Sequence, residues 1–159
     1  MALTTRFATP ADAETIHRFI VGLAEYEREA DAVEVTVDVL RAQLTSARPP
    51  FECLLAEVAG EAVGFALFFQ SYSTWRGRPG LYLEDLLVEP SHRGKGVGGT
   101  LLRRTAALAV ERECARLEWA VLDWNEPAIG FYRSLGAVAL AEWTVHRLSD
   151  AALAAVAGR

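Results

Sequence analysis

The chain predicts an α/β domain built on a mixed, mostly antiparallel sheet with helices on both faces. Two apolar runs in "FECLLAEVAGEAVGFALFFQSY" (51–72) flank the turn "AGEA", so they form a hairpin, which demands antiparallel pairing. A strand at 81–89, a helix and a strand at 116–123 follow one another, which demands a parallel crossover. The expected order is β-α-α-β-β-β-α-β-α-β, with no repeat and no linker, in one domain of 159 residues.

The elements are justified in turn. "LTTRFAT" (3–9) alternates and reads as a strand. Thr9 then Pro10 gives a cap and a helix-compatible proline, and Ile16, Phe19, Ile20 and Leu23 recur at helical spacing, which predicts a helix over 10–28. Thr36 caps a shorter helix through Leu44, ended by "ARPP". After the hairpin, "STWRGRPG" (73–80) is a loop and "LYLEDLLVE" (81–89) a long strand. A helix follows over 100–115, with Leu101, Leu102, Thr105, Leu108 and Ala109 as its buried stripe. "RLEWAVLD" (116–123) is a strand, and "WNEPAIGFYRSLGA" (124–137) holds a short helix capped by Asn125 and ended by Gly136. "VHRL" (145–148) reads as a closing strand, and the tail from Asp150 as a short helix or frayed end.

Composition narrows the function classes. Net charge is −5 and no basic patch is visible, so a nucleic-acid partner is not expected. The acidity would attract a cationic substrate weakly, and it serves solubility equally well. No apolar run is long enough to span a membrane, and the N-terminus carries no basic-then-apolar leader, so the expected compartment is the cytoplasm. Cys53 and Cys114 lack metal-ligand spacing and are expected to be reduced, and His17, His92 and His146 are scattered, so no metal is expected.

The segment "SHRGKGVGGTLL" (91–102) is the one that carries chemistry. Gly94, Gly96 and Gly98 at alternate positions let the backbone curl until several N–H groups share one concavity, and the following helix adds its own orphan N–H groups and positive dipole end. Such a nest binds phosphate. Gly94-Lys95-Gly96-Val97-Gly98-Gly99 also satisfies the dinucleotide pattern G-x-G-x-x-G, which keeps a nicotinamide-dependent oxidoreductase open. Against it, "EPSHR" separates the glycines from their strand, only 60 residues remain after Gly99, and hairpins do not suit a doubly wound parallel sheet. A flexible turn before a helix is the plainest alternative.

Arg93-Gly94-Lys95-Gly96-Val97-Gly98 resembles the R/Q-x-x-G-x-G/A motif of the GNAT acetyltransferases, and the element order is similar across nearly the whole chain. "LAEYE" (23–27), "LYLEDLLV" (81–88), "HRGKGVGG" (92–99) and "WNEPAIGFYRSLGA" (124–137) resemble the diamine subgroup, which acts on spermidine, spermine or thialysine. The resemblance implies a splayed central sheet and direct acetyl transfer from acetyl-coenzyme A to a small primary amine. It also implies a homodimer.

It places residues as well. Arg93 to Gly99 would cradle the pyrophosphate, and the backbone of Leu86, Leu87 and Val88 would pair with the pantetheine arm, at a bulge near Glu84-Asp85 or along an unbroken strand. Asn125 resembles a cofactor contact, although a helix cap explains it too. Glu84 would draw the amine's proton through water and Asp85 would help bind the cation; an edge-strand or interface carboxylate paired with an arginine is the competing explanation. Tyr132 would protonate the thiolate, since a phenol can donate to a thiolate of similar basicity. Tyr26 and Glu27 match a substrate-contacting pair, and Trp75 could wall an amine pocket. The resembling polyamine enzymes carry an acidic cluster before the last strand, where "AEWTVHRL" (141–148) offers only Glu142; this favours a shorter diamine or a lysine-like amino acid. A non-catalytic acyl-coenzyme A sensor also stays open, although Glu84 and Tyr132 speak against it.

Overall fold

The computed structural model describes residues 2–159. The strand β1 (Leu3–Phe7) leads through a turn of 3-10 helix (Pro10–Asp12) into α1 (Ala13–Tyr26), and α2 (Val37–Thr45) follows. The hairpin is β2 (Glu52–Val58) and β3 (Glu61–Ser73), next to β4 (Arg78–Val88). Then come α3 (Val97–Glu111), β5 (Leu117–Glu118), α4 (Glu126–Ser134) and α5 (Asp150–Val156). The chain divides into two compact units, one ending at Ala120 and one over Val121–Arg159.

The first unit holds a five-stranded sheet in the order β1-β2-β3-β4-β5. The first three pairings are antiparallel and β4–β5 is parallel, as the hairpin and crossover patterns require. Both faces are covered. Cys53, Leu55, Phe65, Leu67 and Leu87 pack with Ile16 and Phe19 of α1 and Leu40 of α2, and Phe19 stacks on Phe65 at 5.3 Å between ring centroids. Residues of opposite parity, among them Leu54, Ala66 and Phe68, are buried too, and α3 covers that face of β2, β3 and β4 with Leu101, Leu102, Thr105, Leu108 and Ala109. Two-sided burial explains why the central strands read as unbroken apolar runs.

Four segments depart from the sequence pattern. The first helix opens with a 3-10 turn, where the Asp12 carboxylate accepts the Thr9 N–H at 2.7 Å and a bond from Arg6 at 2.8 Å. These bonds hold the Asp12 carboxyl down at about 2. Strands β3 and β4 extend into the expected loop and leave only residues 74–77 as a turn, because Ser73 still pairs with Arg78. The strand expected over 116–123 pairs at Leu117 and Glu118 alone. Residues 145–148 form no strand: nothing pairs with them among the described residues, and Val145 is exposed.

The second unit contains α4 and α5. Asn125 caps α4, its Oδ1 accepting the Ala128 N–H at 3.4 Å. Past the helix end, Gly136 turns the chain at φ 91°.

Gly64 lies where β3 meets β4 beneath α3. A Cβ there would sit 2.8 Å from the Leu87 carbonyl oxygen and 3.4 Å from Leu101 Cδ1. Backbone on one side and a core side chain on the other leave little room for relaxation. Gly64→Ala is expected to destabilise the fold by about 1–3 kcal/mol, read as a lower midpoint in urea unfolding.

Candidate active site

The site begins with an irregularity in β4. Leu67 and Phe68 are adjacent on β3, yet they face Asp85 and Leu83 on β4, so Glu84 is the extra residue of a β-bulge. The bulge changes which face the odd-numbered residues occupy. Leu83 lies opposite Phe68 on the α3 side, whereas Asp85 and Leu87 lie opposite Leu67 and Phe65 on the α1 side. Without it, Asp85 would share the side of Leu81 and Leu83, both buried.

Three carboxylates gather at this point. Glu84 is exposed on the bulge, Asp85 is half-buried beside it, and Glu27 follows the last turn of α1. Burial pushes the Asp85 carboxyl up to about 7, and the negative charges of Glu84 and Glu27 push in the same direction. Glu27 is raised as well, by burial and then by Glu84. Burial also raises the Tyr82 phenol, again with Glu84 contributing. Anionic groups brought together with one of them largely shielded from water hold a proton or attract a cation.

The far edge of β4 is open. Strand β5 pairs only at Leu81 and Tyr82, so no described strand occupies that edge from Leu83 to Val88. This stretch includes Leu86, Leu87 and Val88. Beyond Val88, a 3-10 turn at Pro90–His92 leads to the glycine loop. Gly94 and Gly96 have φ of 73° and 82°, in the left-handed region that favours glycine, and a Cβ on either would meet no atom within 4 Å. The approach to the loop's amides is therefore clear. Helix α3 starts without a side-chain cap and without an acid in its first turn, and its first intrahelical bond runs from the Thr100 N–H to the Gly96 oxygen at 3.0 Å. The N–H groups of Val97, Gly98 and Gly99 precede that bond and have no intrahelical acceptor. An anion lying against them would complete the helix end.

Side chains from both flanks secure the loop. The Arg93 Nε donates to the Val88 oxygen at 3.0 Å, and its guanidinium lies over the Tyr26 ring, 5.0 Å from the centroid. Lys95 Nζ donates to the Ser91 oxygen at 2.9 Å. Arg18 of α1 forms an ion pair with Glu89, just after β4. A cleft runs between α1 and this junction, lined by Arg18, Gly22, Glu25, Leu87, Glu89 and Arg93. Arg18 was not legible as part of the site, because an arginine on the polar face of an amphipathic helix carries no signal of its own.

One candidate lies away from this cluster. Trp75 sits in the β3–β4 turn, 92% exposed. It is separated from Asp85 by roughly 25 Å of extended chain, so the first unit does not gather it with the carboxylates. Tyr132 is on α4 in the second unit, its ring 5.5 Å from that of Phe131, and Asn125 is buried at the start of the same helix. Cys53 is buried and its thiol is raised, chiefly by burial. It stays protonated and is a poor nucleophile. Among the described residues no group of three or more His, Cys, Asp or Glu has metal-binding geometry, and no helix is long and apolar enough to cross a membrane.

The model of the acetyltransferase (GNAT) family matches residues 17–137. The chain belongs to the GNAT acetyltransferase family. Thialysine N-epsilon-acetyltransferase of Bos taurus is 39% identical over 165 residues, covering 97% of this chain and 96% of the relative. L-ornithine N5-acetyltransferase of Arabidopsis thaliana is 31% identical over 196 residues, covering 95% and 86%. Among solved structures, an integron cassette protein from the mobile metagenome of V. cholerae superposes with a TM-score of 0.83 at 24% identity, over 100% of this chain and 99% of that one, and shares the fold. This GNAT protein is an amine N-acetyltransferase. Neither alternative reading finds support: the G-x-G-x-x-G loop here joins a mostly antiparallel sheet, and the relatives are transferases. GNAT acetyltransferases use acetyl-coenzyme A as co-substrate. The clear amides of the glycine loop, the uncapped start of α3 and the open edge of β4 suit its pyrophosphate and its amide-bearing arm.

Two outcomes follow from this geometry. Gly96→Ala would force alanine into the left-handed region at a cost of about 1–2 kcal/mol and so disturb the loop's backbone. Coenzyme A affinity by calorimetry is expected to fall about tenfold, together with the melting temperature. For Asp85, the folded-state value near 7 lies above the unfolded value of 3.8. The folded state thus retains a proton that the unfolded chain has released, and stability drains away as pH climbs from about 4 to about 7. Asp85→Asn removes this loss, so urea unfolding should find the variant gaining on the wild type between pH 5 and pH 8.

Proposed function

We propose that the protein acetylates the terminal amine of a short diamine or a lysine-like amino acid, with acetyl-coenzyme A as donor. The gathering of Glu27, Glu84 and Asp85 beside the open edge of β4 carries this reading. Three carboxylates, one of them half-protonated near neutrality, suit a substrate that arrives as a cation and must shed a proton. The relatives' substrates are consistent with it: thialysine and L-ornithine each carry an amine at the end of a short chain. The segment 141–148 contributes only Glu142, which weighs against a long polyamine with a further ammonium to hold.

Acetyl-coenzyme A supplies an activated acyl carbon and a thiol leaving group. Asp85 and Glu27 hold the substrate's charge and orient its amine. Glu84, exposed on the bulge, accepts the ammonium proton through water and leaves the nitrogen lone pair free to attack. Proton transfer by positioned groups of this kind contributes about 10²–10⁴-fold. As the C–S bond breaks, Tyr132 donates its hydroxyl proton to the departing sulfur, the nitrogen's second proton leaves through water and restores the phenol, and Asn125 contacts the donor. Attack is direct: Cys53 is buried and stays protonated, and Cys114, past the end of α3, lies in no motif that would activate it.

Thiol release assayed across lysine analogues, ornithine, diamines, spermine and aminoglycosides is expected to give the highest kcat/KM with the lysine-like and diamine compounds. A preference for spermine would defeat the proposed substrate class. Tyr132→Phe is expected to lower kcat about 10²-fold with the amine KM within threefold. Unchanged turnover would remove Tyr132 from the chemistry.

A further inference from the structure

The glycine cradle and the carboxylate cluster also meet at the end of α1. Tyr26 closes α1, and its ring lies under the Arg93 guanidinium at 5.0 Å. Arg93 is gripped on its other side by the Val88 oxygen, at the end of the open edge of β4. The next residue, Glu27, belongs to the carboxylate cluster through its interaction with Glu84. Tyr26 and Glu27 share the helix's final hydrogen bonds, the Glu27 N–H donating to the Leu23 oxygen at 2.8 Å. They are consecutive residues at one helix end. A second tie, Arg18 to Glu89, fixes α1 to the same junction nearer its start.

We infer that Tyr26 is a positioning residue shared by the two substrates: its ring presets the Arg93 guanidinium for the donor's phosphates, and the helix end it belongs to passes that placement on to Glu27. Donor binding and amine binding are thereby coupled. The inference rests on the proposed donor and amine sites and goes beyond them, because it gives Tyr26 work on the donor side rather than a substrate contact alone. A cation lies at the ring face in the free enzyme, where the aromatic quadrupole attracts it. An anion reaching Arg93 finds the guanidinium already placed, so less freedom is lost on binding.

The test uses the full chain, coenzyme A titrated by calorimetry, and steady-state kinetics at saturating acetyl-coenzyme A. Tyr26→Phe keeps the ring and is expected to leave the coenzyme A Kd within twofold. Tyr26→Leu removes the ring, and should weaken coenzyme A about fivefold and raise the amine KM severalfold with kcat within twofold. In the background of Arg93→Ala, Tyr26→Leu should add nothing to the loss of coenzyme A affinity, since the ring then has no cation to place. This cycle stays informative if a single variant loses stability, because folding losses would add in both backgrounds. Unchanged coenzyme A affinity in Tyr26→Leu, equal loss in Tyr26→Phe, additive losses in the cycle, or an unmoved amine KM would each overturn the inference. If no amine were acetylated by the wild type, the proposed function would fall instead, and the coenzyme A titrations would still decide the role of the ring.

Discussion

The register of β4 against β3 is the constraint on which the site depends. Side chains alternate along a strand, so one inserted residue transfers everything beyond it to the opposite face. Glu84 is that residue. Before it, Leu81 and Leu83 feed the core; after it, Asp85 and Leu87 face α1. The same interruption has two consequences. It keeps a carboxylate out of the layer under α3 that Leu81 and Leu83 share with Phe68, where desolvation is costly. It also brings Asp85 to the side on which α1 ends with Glu27, where burial, reinforced by the charges of Glu84 and Glu27, pushes its carboxyl up to about 7.

A second asymmetry concerns helix ends. Helices α2 and α4 have their first turns closed by side chains, Thr36 accepting from the Val39 N–H and Asn125 from the Ala128 N–H. Helices α1, α3 and α5 have no such bond, and at α3 glycines stand where a capping side chain would. An uncapped helix start costs about 1 kcal/mol relative to a capped one. Here the missing cap coincides with a clear approach, a left-handed turn at Gly96 and a neighbouring strand edge that β5 leaves vacant. A ligand with both anionic and amide groups can use all of these together.

Legibility in the sequence varied with how local the cause was. The buried stripe of α3 and the β2–β3 hairpin were readable, since periodicity and turn chemistry act within a few residues. The bulge was readable as a possibility, from two acids inside an apolar strand. The extent of β5 was not: "RLEWAVLD" has strand composition over eight positions, but a strand exists only where a partner offers its backbone, and β4 does so at two. The same holds for 145–148. The place of Tyr26 was hidden for a related reason. An aromatic at a helix end gives no sign of which distant arginine will settle on its face.

Sequence alone determined the alternation of elements as far as α4, the chemical character of the glycine loop and the residue types available for an amine site, because these follow from local backbone preferences and side-chain chemistry. Tertiary structure alone decided which face Asp85 occupies, how little of β5 pairs, and that Arg93 meets Tyr26. Each of these depends on contacts between segments far apart in the chain, whose geometry is set by the packing of the whole sheet against α1 and α3.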